Sequence, residues 1–162
     1  MIVLDVGCRT HGEKNSVAEL IDYYAPDLLL GWDLLPDLVE GTTCIKDTIV
    51  VTRRGAAWTY TGHLKYLYDG IHTRISDAGR EHVPCFDIAA VVEALPTGDG
   101  LILKVDVEGT EMTLLRHLLH RGVASNITEL LVRWHADHAL GDSGERALVE
   151  EDWPGGIRTW WL

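Results

Sequence analysis

The chain has 162 residues, of which 46% are hydrophobic and 24% are charged, and its formal net charge is −11. This length and composition predict a single globular domain, residues 1–162, with a sizeable core. The negative charge repels a phosphate backbone, so we expect no nucleic-acid partner. No apolar run reaches the roughly 20 residues that a membrane span needs, so no span is expected.

The N-terminal stretch and the cysteines favour a cytoplasmic protein. MIVLDVGCRTHG lacks the basic start and the long apolar region of a signal peptide. Cys8, Cys44 and Cys85 are odd in number, widely spaced and without a CxxC pair. We therefore expect three reduced thiols.

A strand, a turn and a helix are predicted at the start of the chain. Ile2–Val6 is a short apolar run, which favours a strand, and Gly7 and Gly12 follow it. Ser16 and Glu19 have the spacing of a capping box, so we expect Ser16 to begin the first helix.

The rest of the chain continues the alternation of strand-like and helix-like segments. Apolar runs predict strands, and apolar residues at helical spacing predict helices. The predicted segments are, in chain order, the strands 28–33 and 45–51, a hairpin-like insertion over 57–61 and 66–75, the helix 87–95, the strand 101–107, the helix 110–121, the strand 130–134, the helix 145–151 and the strand 157–161.

This alternation predicts an α/β fold with a mostly parallel central sheet and helices on both faces. Ligands bind such sheets beyond the carboxyl ends of the strands. Polar residues collect at the ends of the predicted strands, namely Asp5, Asp33, Asp106, Glu108 and His135. We therefore expect a functional site at that edge of the sheet.

The segment LDVGCRTHG joins the first strand to the first helix. Gly7 allows a tight turn and a close approach of a ligand to the main chain. The glycine spacing differs from the dinucleotide-binding GxGxxG, and no Gly-Lys-Ser/Thr of a P-loop follows. Asp5-x-Gly7 resembles motif I of class I methyltransferases that use S-adenosylmethionine (AdoMet), whose loop backbone holds the methionine part of the cofactor. An ordinary turn between a strand and a helix is the alternative.

Asp33 closes the second predicted strand, LLLGWD. An acid in this position can accept hydrogen bonds from both ribose hydroxyls of an adenosine. A solvated aspartate at a strand end is the alternative.

Three longer stretches, VPCFDIAAVVEAL, LILKVDVEGTEMTLL and LLVRWH, are similar in order and spacing to the FkbM-type methyltransferases. That family has a pattern close to V-P-x-x-D, then L-K-x-D-[VI]-E-G-x-E, then a strand ending in E-W-H. The resemblance implies a Rossmann-like class I methyltransferase fold, here shortened at the C-terminus, with AdoMet as cofactor. It also implies O-methylation of a hydroxyl on a sugar, a glycan or a small natural product.

The resemblance implies roles for individual residues. The cofactor would be bound by Asp5, Gly7, Cys8, Arg9, Gly12 and Asp33. The acceptor would be faced by Asp106, Glu108 and His135, with Asp106 as a base or an anchor for the hydroxyl. Lys104 lies on the same strand face as Asp106 and would take part in catalysis or form a structural ion pair. Glu111 would share a face with Glu108, or it is a first-turn acid favoured by the helix dipole.

Two departures from the family pattern support an alternative function. Arg133 stands where the family commonly has Glu, and Cys8 and Arg9 stand where it often has Ala-Asn. Together with the short length, these residues favour a catalytically inactive methyltransferase-fold binding module as the alternative. A reductase ranks last because the GxGxxG is absent.

Two histidines and the C-terminal aromatic residues bear on metal binding and self-association. His135 and His138 form an HxxH, but His135 ends a predicted strand and no third ligand is evident, so we expect no metal. A small-molecule or glycan acceptor is the expected partner. The aromatic residues near the C-terminus and the short sheet edge suggest a homodimer.

Overall fold

The computed structural model of the chain describes residues 1–10, 15–69, 73–96, 98, 100–135 and 143–160, with only the backbone of 143–145. In chain order the elements are β1 (Ile2–Val6), α1 (Ser16–Tyr24), β2 (Leu28–Asp33), β3 (Gly41–Ile45), β4 (Thr48–Arg54), β5 (Ala56–Trp58), β6 (Gly62–Leu67), β7 (Arg74–Ile75), β8 (Glu81–Asp87), α2 (Ile88–Ala94), β9 (Leu101–Val105), α3 (Glu111–His120), a 3-10 turn (Ala124–Asn126), β10 (Glu129–Val132), α4 (Ser143–Asp152) and β11 (Arg158–Thr159).

One sheet forms the centre of the structure. Its strand order, within the described residues, is β11-β10-β9-β1-β2-β4-β3. Neighbouring strands are parallel except β3 and β4, which pair antiparallel at one edge. All residues of β1 and β9 are buried, as expected for central strands covered on both faces. The prediction of an α/β fold with a mostly parallel sheet is therefore confirmed.

Two apolar clusters cover opposite faces of this sheet. Leu4 and Val6 of β1 belong to the larger cluster, together with apolar residues of α2, α3 and α4. Val3 belongs to the other cluster, where it joins Val17 and Leu20 of α1. The split follows from the alternation of side chains along a strand. It also means that Asp5, two residues after Val3, points toward the α1 side.

A second sheet, with the order β5-β8-β6-β7, packs beside the first. The sequence predicts only a hairpin-like insertion in this region. The sheet is larger because β8, which carries Pro84, pairs with both β5 and β6. Tyr66 is buried within it, and its hydroxyl accepts a hydrogen bond from Arg54 and donates one to Glu81.

Two local predictions are wrong. The single strand expected over residues 45–51 is a hairpin of β3 and β4, because Lys46 adopts a left-handed backbone with φ of 54° and reverses the chain. α1 begins at Ser16, as predicted, but the predicted capping box does not form, because Ser16 is not the N-cap. That role belongs to Asn15, whose side chain accepts a hydrogen bond from the Ala18 N–H, while Ser16 is held by Asp5.

The helices otherwise agree with the predicted segments. Asp87 is the N-cap of α2 and accepts from the Ala89 N–H at 2.9 Å. It also lies 2.7 Å from His117 Nε2 and 2.9 Å from Arg121 Nη1, so it ties α2 to α3. Burial opposes the charge of Asp87, but His117 and the helix N–H groups outweigh it and lower its pKa. Among the described residues, no helix has the length and apolar character that crossing a bilayer requires.

Candidate functional site

A cleft opens at the carboxyl ends of β1, β2 and β9. β1 lies between β2 and β9 in the sheet. The chain adds β2 to β4 on one side of β1 and β9 to β11 on the other, so β1 and β9 mark the switch between the two halves. The cleft has an empty volume of about 570 Å³, part of it open to solvent. The cleft is lined by five of the predicted site residues, Gly7, Arg9, Asp33, Asp106 and Glu108.

Lys104 lies beneath the cleft and joins β9 to β1. Its Nζ is 2.9 Å from Asp5 Oδ1 and 3.7 Å from Asp106 Oδ2, and it donates to the Gly7 carbonyl at 2.6 Å. Burial opposes the charge of Lys104, but Asp5 and Asp106 outweigh it and raise its pKa. Because the Lys104 side chain is fully buried and does not line the cleft, the geometry favours a structural ion pair.

Asp5 connects the first loop to the start of α1 through hydrogen bonds. Its Oδ2 accepts from the Ser16 hydroxyl at 2.7 Å, and the Ser16 oxygen accepts from the Arg9 N–H at 2.9 Å. The Asp5 side chain is fully buried and lies outside the cleft lining. Its influence on a ligand would therefore pass through the loop rather than through a direct contact.

The backbone N–H groups at the start of the loop form hydrogen bonds within the protein. The N–H groups of Gly7 and Cys8 both donate to the Trp32 carbonyl, at 2.8 and 2.9 Å. The Arg9 N–H donates to the Ser16 hydroxyl oxygen. Residues 7 to 9 would thus meet a ligand through the Arg9 side chain and the Gly7 surface, both of which line the cleft.

Cys8, like Asp5, is a predicted cofactor-binding residue that does not line the cleft. The Cys8 side chain is buried against Gly31, where a Cβ would lie 2.9 Å from the Cys8 sulfur. Burial raises the pKa of the Cys8 thiol far above its ordinary value, so it remains a neutral packing group. Gly12 lies outside the described residues.

Asp33 closes β2 and lies half-buried at the cleft. Its Oδ1 accepts from the Leu35 N–H at 2.8 Å, whereas Oδ2 has no hydrogen bond within the described residues. Burial raises the pKa of Asp33 to about 6, against the opposing effects of the Leu35 N–H, Lys104 and Arg9. A carboxylate with one unused oxygen at a cleft suits a hydroxyl donor.

Asp106 follows β9, and its two oxygens face different partners. Oδ2 lies near two cations, Lys104 at 3.7 Å and Arg133 Nη1 at 3.5 Å. Oδ1 lies 3.4 Å from His135 Nε2. Arg133, the residue that departs from the FkbM-type pattern, therefore stands beside the aspartate predicted as base or anchor.

Glu108, Glu111 and His135 meet next to Asp106. Glu108 and Gly109 have φ of 53° and 102°, so the backbone turns sharply between β9 and α3. His135 Nε2 is 3.4 Å from Glu108 Oε1, and its Nδ1 is 2.6 Å from Glu111 Oε1. Burial opposes the charge of His135, but Glu111, Glu108 and Asp106 outweigh it and raise its pKa.

The structure thus brings together Asp106, Glu108 and His135, which the sequence predicts to face the acceptor. The contact of Glu111 with His135 could not be read from the sequence, although the position of Glu111 in the LKVDVEGTE string marked it as a candidate. The second sheet adds a wall to the cleft through Ala57 and Ile75, and Thr73, just before β7, extends it. The sequence carries no signal for this wall. Trp32, beside Asp33 in LLLGWD, also lines the cleft.

No family model matches the chain, and no curated protein or solved structure matches it either. Function is therefore inferred from the chemistry of the cleft and from the resemblance in the sequence.

Proposed function

We propose that the protein is an AdoMet-dependent methyltransferase of Rossmann-like fold, similar to the FkbM type. Its acceptor would be a hydroxyl on a sugar, a glycan or a small natural product. The observation that carries the proposal is that Asp33, on the predicted cofactor side, lines the same cleft as Asp106 and Glu108, on the predicted acceptor side. Transfer between two bound molecules requires such a shared cleft, because orientation supplies much of the rate.

The residues on the Asp33 side fit an adenosine. Asp33 Oδ2 has no hydrogen bond within the described residues and can accept from a ribose hydroxyl. Trp32, Leu35 and Ile75 offer apolar surface for a flat base. Arg9 is suited to the carboxylate of the methionine part. When bound, AdoMet supplies a methyl group on a positively charged sulfur, and the acidic side chains of this cleft favour a cation.

The residues on the Asp106 side would hold and orient the acceptor. Lys104 and Arg133 both face Asp106 Oδ2, so Oδ1 is the oxygen on the side of His135. A hydroxyl that donates to Asp106 would be held in one orientation, and its proton would pass to the carboxylate. General-base help of this kind contributes about 100- to 10,000-fold.

Calorimetric titration with AdoMet and with its demethylated product tests the cofactor half of the proposal. We expect Asp33→Ala to weaken binding by more than tenfold, which corresponds to at least about 1.4 kcal/mol. Asp22→Ala is the matched control, because Asp22 is an exposed acid that pairs with Lys46 outside the cleft. The proposal fails if the folded wild-type protein binds neither compound.

A screen of hydroxyl acceptors tests the transfer half. Asp106→Ala should retain AdoMet binding and lose turnover by about 100-fold or more, because it removes the group that orients the hydroxyl. Full turnover in this variant would exclude Asp106 as base or anchor.

One observation favours a binding module without activity as the second candidate. Arg133 occupies the neighbourhood of Asp106, and a cation there competes with an acceptor for the carboxylate. Such a module would bind AdoMet without transferring its methyl group to any acceptor. Turnover that is absent in the wild-type protein and appears in Arg133→Glu would support this candidate.

A further inference from the structure

We propose that Asp106, Glu108 and His135 bind a single divalent transition-metal ion. Their donor atoms all lie within 4.8 Å of one another. His135 Nε2 is 3.4 Å from Asp106 Oδ1 and also 3.4 Å from Glu108 Oε1. Two donors that each lie about 2.1 Å from an ion, at a tetrahedral angle, are separated by about 3.4 Å. The spacing thus suits an ion between the three side chains better than direct hydrogen bonds among them.

The state of the His135 ring is an independent observation that points to a ligand. The Nε2 atom is buried, yet it has no hydrogen-bond partner among the residues that the structure describes. Glu111 Oε1, which lies 2.6 Å from Nδ1, can only accept when ionised, so Nδ1 carries the proton and donates it. Nε2 then presents its lone pair toward two carboxylate oxygens. In the neutral ring, this buried lone pair is unfavourable unless a cation lies between Nε2 and the carboxylates, and either a metal ion or a second ring proton can fill that place.

Glu111 would act as a positioning residue for this site. It is almost fully buried, and its Oε1 also accepts from the Gly109 N–H at 3.2 Å, which holds the carboxylate in place. Metal-binding histidines usually donate their other ring N–H to a carboxylate or carbonyl in this way, which sets the tautomer and the direction of the ring.

The charges around the cluster also favour a dication. With His135 neutral, carboxylates outnumber cations among the described residues of this network, which leaves an excess of negative charges. Its members are Asp5, Asp106, Glu108, Glu111, Lys104 and Arg133. A divalent ion would balance them in a place where few of these side chains are solvated.

The donor set indicates the class of metal. One imidazole and two carboxylates suit Mn²⁺, Fe²⁺ or Zn²⁺ better than Ca²⁺, which takes six to eight oxygen ligands. Three protein ligands leave coordination positions open. Asp106 and Glu108 both line the cleft, so an open position would face it and could hold a substrate oxygen. With the ion bound, Asp106 would orient the acceptor as a ligand of that ion rather than as its base. That use of the ion rests on the proposed methyl transfer, whereas binding of the ion does not.

Titration of the chelator-treated protein with Mn²⁺, followed by electron paramagnetic resonance, tests the site. We expect one saturable Mn²⁺ per chain. His135→Gln and Glu108→Gln should each weaken binding at least tenfold, and Glu111→Gln should weaken it by about 10- to 100-fold through the ring orientation. Asp22→Asn, far from the cluster, is the matched control and should bind as the wild-type protein does. Circular dichroism confirms that each variant is folded. If His135→Gln does not fold, Glu108→Gln still tests whether the cluster binds the ion.

Failure of Mn²⁺ and Zn²⁺ to bind the folded wild-type protein would overturn the proposal, as would equal binding to Glu108→Gln. A second proton on His135 would then be the occupant of the cluster. AdoMet titration of the same samples separates this inference from the proposed function. Mn²⁺ binding without AdoMet binding supports the metal site and contradicts the methyltransferase.

Discussion

The backbone carbonyl of Asp106 lies directly against Gly7, where a Cβ atom would be only 1.8 Å from its oxygen. Gly7 has φ of +80°, and the neighbouring Val6 carbonyl accepts from the Asp106 N–H at 2.9 Å. The ends of β1 and β9 are thus joined at the base of the cleft. This close packing accounts for a glycine at position 7 without any ligand.

Gly7→Ala should destabilise the protein by at least about 2 kcal/mol, because it combines a steric clash with backbone strain. Gly122→Ala separates the two effects. Gly122 also has a positive φ, of +71°, but a Cβ there meets nothing within 4 Å. The Gly122→Ala variant should lose only about 1 kcal/mol of unfolding free energy. Urea unfolding measures both variants, and equal losses would show that the contact with Asp106 is unimportant.

Lys104→Met should destabilise the protein by about 3–5 kcal/mol, because it leaves the buried Asp5 charge without its partner. Both side chains are fully buried. The double variant Lys104→Met with Asp5→Asn should recover part of this loss, since no buried charge is left between the two strands. Urea unfolding of the two single variants and the double variant completes the cycle. If the double variant loses the sum of the two single losses, Lys104 and Asp5 do not stabilise the protein as a pair.

Asp87→Ala should lower stability at pH 7 by about 0.5–2 kcal/mol from the loss of the N-cap alone. Because the pKa of Asp87 is lowered in the folded protein, the contribution of its charge is present above the unfolded value of about 4 and is lost as the pH falls through the folded pKa. The difference from wild type should therefore shrink in acid. Chemical unfolding at pH 7 and below pH 4 measures it, with Arg121→Gln as a milder disruption of the same contact.

Binding of the demethylated cofactor product should weaken as the pH falls below about 6. The carboxylate of Asp33 is the proposed acceptor, and burial raises its pKa to about 6. The charged or titratable groups that face it are Asp5, Cys8, Arg9 and Lys104. If only the carboxylate form binds, affinity at pH 5 should be about tenfold lower than at pH 7.

Asp33→Asn is the control for this pH dependence. It keeps an oxygen for the Leu35 N–H but cannot titrate, so its weaker binding should be nearly independent of pH. Calorimetry from pH 5 to pH 8 gives both profiles. A flat wild-type profile would contradict the role of Asp33.

Arg133→Gln should raise Mn²⁺ affinity about three- to tenfold at low salt, because it removes a cation that lies 3.5 Å from Asp106 Oδ2. Stability should change little, since the Arg133 side chain is about one-third exposed, at 31%. The same Mn²⁺ titration measures the affinity. Unchanged or weaker binding would show that the ion does not sit near Asp106.

The sequence predicts the two central strands of the sheet but not several of the short ones. Apart from Asp5 and Lys104, β1 and β9 are apolar, and a short window of sequence is enough to predict a buried strand from such a segment. The hairpin of β3 and β4 and the pairing of β8 were not predicted, because short strands are stabilised by partners distant in the chain. The same reason hides the contact of His135 with Glu111, which lies 24 residues earlier.

By itself, the sequence determined the α/β alternation and the set of acids at the carboxyl ends of the strands, because periodicity and strand length are local properties. Only the tertiary structure decided which acid lines the cleft. Asp5 pairs in register with Lys104 and is turned into the sheet face under α1, whereas Asp33 ends its strand at the cleft. Strand register and side-chain alternation make that distinction, and both depend on which strands become neighbours.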